Sequence, residues 1–303
     1  MKILTTGALT LTDDERARLE SLKLEITYHA DEQLPVPDAG RYEIVICNAL
    51  FQYQPIVCFT NLKLVQLTSA GYDRMPLDYI QSHGICLFNA GGVYSAPMAE
   101  FALCGVLQLY KQSHYFAQNQ QRHLWEKHRG LLELTDKRVC IVGAGSVGIE
   151  VAKRFSAFGT HVTGIDLYPK DTVYFDTVLS LDSLDDVLRT SDIVVLTLPL
   201  SETTRHLFDE ARLSRIKPGA ILVNIARGAI VEETALIDSL RSGRLSGAVL
   251  DVFEQEPLPA DSPLWEMDNV ILTPHNSFVS DMTHQRLMDL IIRNISDYVS
   301  REG

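Results

Sequence analysis

The sequence predicts an α/β chain of two domains, each an open parallel sheet with flanking helices, and three observations carry that reading. Short apolar runs alternate with amphipathic stretches from one end of the chain to the other, the pattern of buried parallel strands joined by helices. Near the middle, in "RVCIVGAGSVGIEVAKRF", a glycine-rich turn stands directly between an apolar run and an amphipathic one. The length, 303 residues, is more than one compact core usually takes and suits two.

In the first third, "KILTTG" (Lys2 to Gly7), "LEITYH" (Leu24 to His29), "EIVICN" (Glu43 to Asn48), "LKLVQLT" (Leu62 to Thr68) and "GICLFN" (Gly84 to Asn89) are the expected strands. Each is short, rich in aliphatic and β-branched residues, and bounded by polar or glycine-containing segments. Through "SAPMAEFALCGVLQLYKQS" apolar residues recur at three and four, so a connecting helix is expected, with Ser95 as N-cap and Pro97 near its first turn. The region from about Gln118 to Thr135 is polar, carries Trp125 and shows no strand; it reads as a loop or arm suited to a subunit contact.

A second strand series follows in "KRVCIVG", "HVTGID", "DIVVLTLPL", "AILVNIA", "SGAVLDVF" and "NVILTPH", with helical patterns between. The acid run "DSLDDV" (Asp182 to Val187) reads as a helix start whose carboxylates complement the dipole. After His275 the chain closes with "DMTHQRLMDLIIRNISDYV", an amphipathic helix expected to return to the first domain. The expected boundaries are therefore residues 1–95, completed by 278–303, for the first domain and 96–277 for the second.

Composition excludes several classes of function. The chain has 27 basic and 39 acidic residues, a formal charge of -12 and no basic cluster, so nucleic acid is not an expected partner. The amino-terminal "MKILTTGALT" is too short an apolar run for a signal peptide, and no stretch reaches the roughly 18 apolar residues of a membrane span. A cytoplasmic protein is expected. Five cysteines (Cys47, Cys58, Cys86, Cys104, Cys140) lie in apolar surroundings without metal-ligand spacing and read as reduced core thiols. No metal site is expected, and His114, His123 and His128 read as solvated or interface residues.

Gly143, Gly145 and Gly148 have the G-x-G-x-x-G spacing straight after an apolar strand and at the opening of a helix. Glycine lets the backbone turn tightly and approach a pyrophosphate, whose charge then meets the N–H groups of a helix N-terminus. The same fingerprint calls for an acid at the end of the next strand, and Asp166 lies 18 residues after Gly148. A carboxylate there accepts from the adenosine ribose hydroxyls and repels a 2'-phosphate, so NAD is favoured over NADP, with Lys170 keeping NADP open. The larger domain is then a Rossmann-type doubly wound sheet.

The stretch "ILVNIARGAIVEE" opens as a strand buried on both faces and places a permanent cation, Arg227, at its tip. In such a sheet ligands bind beyond the carboxyl ends of the strands. A guanidinium stationed there can grip a carboxylate with two hydrogen bonds; a structural ion pair is the alternative. Glu256 follows the next strand and His275 the one after, so three ionisable residues end three strands. Histidine gives and takes protons near neutrality, and a carboxylate partner favours its charged form. Taken singly, His275 suits a structural histidine and Glu256 a solvated loop acid. Together they supply what hydride transfer to a 2-oxo acid needs: a carboxylate clamp, a proton donor at the carbonyl oxygen, and a group that keeps the donor charged.

The motifs "GAGSVG", "TLPLSETT", "LVNIARGAIVEETAL", "VLDVFEQEPLP" and "SPLWEMDNVILTPH", in that order over about Lys137 to Asn276, resemble the D-isomer-specific 2-hydroxyacid dehydrogenase family. "QLTSAGYDRM" and "VYSAPMAEFAL" extend the resemblance into the first domain. It implies a flavodoxin-like substrate-binding domain followed by an NAD-binding one, which family members close over the substrate. It further implies that Arg227 binds the substrate carboxylate and carbonyl oxygen, that His275 is the acid/base and that Glu256 pairs with it. Ser69, Ala70 and Gly71 would offer backbone amides to the same carboxylate. Ser146 and Val147 would meet the pyrophosphate, Pro199 and Thr204 the adenosine side, Ile225 and Ala226 the nicotinamide ribose, and Asp251 the carboxamide. A homodimer is also implied.

Two departures stand out: Asp136 where the family commonly has glycine, a change expected only to adjust the turn, and "NSF" after the histidine in place of a run of small residues, which leaves the subfamily and substrate open. The chain stops at residue 303, so the regulatory domain of many phosphoglycerate dehydrogenases is not expected, nor is feedback by an amino acid. Phe51 and Tyr53 in "NALFQYQP" are either pocket walls or core anchors, and the lack of a phosphate-binding cluster favours an unphosphorylated substrate. The expected activity is reduction of a small 2-oxo acid with NADH. The alternatives are an NADP-preferring glyoxylate or hydroxypyruvate reductase, and a corepressor-like binding protein that senses NAD(H).

Overall fold

The five apolar runs of the first third form parallel strands, each a residue or more shorter than its run: β1 (Lys2–Thr6), β2 (Glu25–His29), β3 (Ile44–Cys47), β4 (Leu64–Leu67) and β5 (Cys86–Phe88). Short helices fill the crossovers: α1 (Asp13–Glu20), α2 (Leu50–Tyr53) and α3 (Leu77–Ser82). Thr12 starts α1 with a capping box, accepting from the Glu15 N–H while the Glu15 side chain takes its own. The computed structural model describes residues 1–170 and 172–302. Among these the first sheet has five strands in the order β2-β1-β3-β4-β5.

The remaining elements up to Val279 form a second unit. α4 (Ser95–Tyr110) and α5 (Ser113–Gln121) precede β6 (Arg138–Val142), α6 (Ser146–Ser156), β7 (His161–Asp166), β8 (Thr177–Ser180), α7 (Leu184–Leu188) and β9 (Ile193–Leu196). Then come α8 (Glu210–Leu213), β10 (Ala220–Asn224), α9 (Glu233–Arg241), β11 (Leu245–Leu250) and β12 (Val270–Leu272). These strands, seven among the described residues, run in the order β12-β11-β10-β9-β6-β7-β8. The order reverses between β6 and β9, where a doubly wound sheet opens a crevice at its carboxyl edge. Alternate residues face opposite sides, so Cys140, Val194, Leu196 and Leu222 enter one core. Ile141, Ile193, Val195 and Val223 enter the other, against Ala102 and Val106 of α4 and Val151 and Phe155 of α6.

The chain ends with α10 (Thr283–Glu302), and the two compact units are Met1–Tyr94 with Ser280–Gly303, and Ser95–Val279. Leu287, Met288, Ile291 and Ile295 of α10 share a buried cluster with Ile3, Ile44, Ile46 and Leu64 of the first sheet. Gln66 is fully buried in β4 and would be costly there unbonded. Its amide nitrogen donates to Leu67 O at 2.8 Å, and its oxygen accepts from Asn294 of α10 at 2.9 Å.

Several expectations are corrected. α4 begins at Ser95 itself, so Ser95 lies in the first turn instead of capping it, and its buried hydroxyl has no hydrogen-bond partner among the described residues. The long helical run is broken at Gln112, whose φ of 52° lies in the left-handed region, and the second piece, α5, reaches into the segment expected as an arm. β8 was not expected: it is an edge strand, paired only with β7, and its burial is too partial to leave an apolar run. The cysteines are all free, but only Cys47 and Cys140 are core thiols; Cys58, Cys86 and Cys104 are exposed. Burial pushes the Cys140 thiol up to about 12. Among the described residues no helix is long and apolar enough to cross a membrane.

Candidate active site

The glycine turn after β6 is built from three different demands. Gly143 has φ 106°, and a Cβ there would lie 2.7 Å from Leu198 N. A Cβ on Gly148 would lie 2.0 Å from Gly143 O, so the third glycine lets α6 sit down on the turn. A Cβ on Gly145 would meet nothing within 4 Å. The space a side chain would fill is open there, at the N-terminus of α6, where Gly145 supplies no side-chain cap. Ser146 and Val147 are the first two residues of that helix, whose N–H groups have no acceptor within it. An anion fits this cradle.

Asp166 ends β7 with its carboxylate turned to the same turn: Oδ2 accepts from Ala144 N–H at 2.8 Å and Oδ1 from Tyr168 N–H at 2.9 Å. Across the switch point the Thr197 hydroxyl, at the end of β9, donates to Gly143 O at 2.7 Å. Thr197 opens the motif "TLPLSETT", but nothing in that motif assigns its hydroxyl to the glycine turn. Thr204 is buried, and its hydroxyl donates to Pro199 O at 2.8 Å and accepts from Ser201 N–H at 2.7 Å. It shapes the turn that presents Pro199.

Two of the three strand-end residues share a register. Asn224 of β10 lies opposite Leu250 of β11, and Leu250 opposite Leu272 of β12. Arg227 and His275 thus each lie three residues beyond aligned positions. Just before Arg227, Ile225 and Ala226 are buried, and Asn224 clamps the turn: its oxygen accepts from Ala226 N–H at 3.1 Å and its nitrogen donates to Arg227 O at 3.0 Å. Arg227 is extended (φ −146°, ψ 140°) and half-buried, with Nη1 donating to Ala226 O at 2.7 Å. The following residue permits close packing, since a Cβ on Gly228 would lie 1.9 Å from the Phe253 carbonyl carbon. The arginine's turn therefore rests against the loop that carries Glu256.

Glu256 divides its oxygens. Oε1 accepts from Phe253 N–H at 3.1 Å, and Oε2 lies 2.9 Å from His275 Nδ1. An ionised carboxylate only accepts, so in this bond the histidine donates from Nδ1. His275 has φ 50°, a left-handed backbone that few non-glycine residues adopt, and its N–H donates to Asp251 O at 2.8 Å. Asp251 holds this conformation from beneath. It is 1 % exposed; Oδ1 accepts from the Thr273 hydroxyl at 2.6 Å and Asn276 N–H at 2.7 Å, and Oδ2 from Ser277 N–H at 2.9 Å. Its carboxylate, expected at a cofactor carboxamide, is thus engaged by three donors of the histidine's own loop.

In the first unit, Ser69, Ala70 and Gly71 follow β4. Their carbonyls are bonded, to Ala90 N–H at 2.9 Å, the Asn89 amide at 2.6 Å and the Ser69 hydroxyl at 3.2 Å. Their N–H groups make no hydrogen bond among the described residues, which suits them to receive an anion. Phe51 and Tyr53 part ways: the Phe51 ring packs edge-on against Phe59 at 5.4 Å, whereas Tyr53 is half-exposed on the wall of a cleft of about 430 Å³ with Asn48, Gln52 and Arg74. Among the described residues no cluster of His, Cys, Asp or Glu is arranged to hold a metal.

The family model described as "D-isomer specific 2-hydroxyacid dehydrogenase, NAD binding domain" matches residues 103–277, more than half of the chain. The chain belongs to the D-isomer-specific 2-hydroxyacid dehydrogenase family. A glyoxylate reductase of Thermofilum pendens is 35% identical over 243 residues, covering 78% of this chain and 71% of that one. The crystal structure of a D-lactate dehydrogenase from Aquifex aeolicus, complexed with NAD and lactic acid, superposes with a TM-score of 0.81 at 26% identity, over 98% and 95% of the two chains. A D-isomer-specific 2-hydroxyacid dehydrogenase from Xanthobacter autotrophicus, in complex with NADPH and MES, gives 0.79 at 29% identity over 98% and 95%. The 2-hydroxyacid dehydrogenase described here is accordingly an oxidoreductase that moves a hydride between a nicotinamide cofactor and a small 2-oxo or 2-hydroxy acid.

Proposed function

We propose that the protein is an NAD-dependent reductase of a small, unphosphorylated 2-oxo acid that forms the D-2-hydroxy acid, with His275 as acid/base, Glu256 as its partner and Arg227 as the carboxylate clamp. The observation that carries this reading is the 2.9 Å bond between His275 Nδ1 and Glu256, set at a strand end aligned with that of Arg227. The Arg227 guanidinium neutralises the substrate carboxylate and fixes the carbonyl beside it. The imidazolium donates from Nε2 as charge develops on the carbonyl oxygen, and Glu256 holds the ring's orientation through Nδ1. The nicotinamide, when bound, supplies the hydride, and Gly145, Ser146, Val147 and Asp166 are the residues fitted to hold its dinucleotide. Asp166 favours NAD, because a ribose hydroxyl can donate to it whereas a 2'-phosphate would meet like charge.

Oxidation of NADH measured against glyoxylate, hydroxypyruvate, pyruvate and bulkier 2-oxo acids tests the reading. Arg227→Ala is expected to raise KM strongly, and His275→Asn, which tolerates the left-handed backbone, to lower turnover about 10²–10⁴-fold with NADH affinity retained. Wild-type turnover in either variant would overturn the assignment. An NADP-preferring reductase is the second reading, favoured by the NADPH-bound Xanthobacter relative and the exposed Lys170 beyond Asp166. Comparing NADPH with NADH in the same assay decides between them. Free cysteines suit a reducing cytoplasm, and a homodimer is proposed through the segment around Trp125.

A further inference from the structure

The loop that carries Glu256 holds a second histidine–carboxylate pair. Two residues before Glu256, Glu254 Oε1 lies 2.5 Å from His206 Nε2. Residues 254–257 are exposed, so burial does little to fix them, and the loop depends on its polar ties. One is internal, from Phe253 N–H to Glu256 Oε1 at 3.1 Å. A second runs from Glu254 N–H to Glu233 Oε2 at 3.3 Å. Burial pushes the Glu233 carboxyl up against the pull of that bond, and the charge of Glu254 beside it adds to the rise. Besides the bond of Glu256 to His275 at 2.9 Å, the remaining tie is His206.

His206 is placed to connect three functional segments. It closes the turn that contains Pro199 and Thr204, with φ 48°, again a left-handed non-glycine residue. Its N–H donates to Ala229 O at 2.8 Å; two residues on, Phe208 N–H donates to Ile230 O at 3.0 Å and Phe208 O accepts from Glu232 N–H at 3.1 Å. The backbone around His206 is thus sewn to the segment that follows Arg227, while its ring holds the loop of Glu256. Gly228 has no room for a side chain between the same two segments.

We propose that His206 is a positioning residue for proton transfer: bonded to Glu254, it fixes the loop from Phe253 to Glu256 against the Arg227 turn and ties that loop to the turn after β9. The inference rests on the reading of His275 and Glu256 as acid and partner. A half-exposed pair contributes little to global stability, so its loss appears in geometry at the active site, where small displacements of a proton donor are costly.

The test compares His206→Ala, Glu254→Gln, their double variant and His206→Gln, whose amide N–H can reach the same carboxylate. Each of the first two is expected to lower kcat roughly ten-fold or more, with KM for the 2-oxo acid, NADH affinity and melting temperature unchanged. The double variant falls no further than either single one, as two ends of one interaction should, and His206→Gln recovers most of the loss. The ¹⁵N shifts of the His275 ring at fixed pH, which need no turnover, move in His206→Ala and return in His206→Gln. A wild-type protein inactive on every 2-oxo acid would remove the proposed function, and the shifts would still decide the brace. Shifts and kcat at wild-type values in His206→Ala, or an equal loss in His206→Gln, overturn it.

Discussion

Gly145 and Gly148 stand three positions apart, yet a methyl group would mean different things at each. At Gly148 it would collide with Gly143 O, so Gly148→Ala is expected to cost about 1–3 kcal/mol or more and to distort the turn. At Gly145 it would enter open space, so Gly145→Ala should change stability by less than about 1 kcal/mol while weakening NADH binding. Denaturant titration beside NADH fluorescence titration separates the two, and equal stability losses would refute the distinction. The placement of the site residues was legible in the sequence: the glycines, Asp166, Arg227 and His275 stand at or just beyond strand ends in a recognisable order, and Glu256 follows in the loop after β11. Supporting residues were not. Thr197, Asn224 and the loop-holding use of Asp251 depend on partners set by strand neighbours, as when Asp251 meets Thr273 across 22 positions of sequence.

At the level of elements, apolar runs located eleven of the twelve strands found among the described residues, the central ones because parallel strands covered on both faces must be apolar throughout. β8 escaped because its four residues, Thr177–Ser180, hold only two apolar side chains, and the start of α4 was misplaced because Ser95 has the chemistry of a cap without the position of one. The docking of α10 was legible as an amphipathic face, but its polar anchor was not. Replacing Asn294 with alanine strands the Gln66 oxygen in the core, at an expected cost of about 1–3 kcal/mol. Hydrogen exchange should show the loss as faster opening of α10 and β4; unchanged protection would show that the bond contributes nothing.

Over the whole molecule, pH acts through partly buried carboxylates. Burial would push the Asp192 carboxyl up, but the Arg138 N–H and the Lys217 ammonium, at 2.9 and 2.6 Å, outweigh it and hold the group below its usual value. Its contribution is therefore complete above the unfolded value of about 3.9 and is lost as pH falls through the lower folded one. Denaturant stability measured between neutrality and pH 3 should fall less steeply in Asp192→Asn than in the wild type. Glu233, pushed up, acts with the opposite sign, its penalty growing as pH rises through the carboxylate range. For the assembly, Trp125 is 95 % exposed with Leu124, Leu131 and Leu132 nearby in an irregular segment. Sedimentation of the wild type as a dimer and of Trp125→Ala as a weaker one is the expected result; a monomeric wild type would refute the proposed contact. The return of α10 to the first sheet also orders events on the ribosome. At about 5–20 residues per second, the nascent amino-terminal strands wait on the order of ten seconds or more, while the entire dinucleotide unit emerges and can fold, before the helix that seals their apolar face has been synthesised.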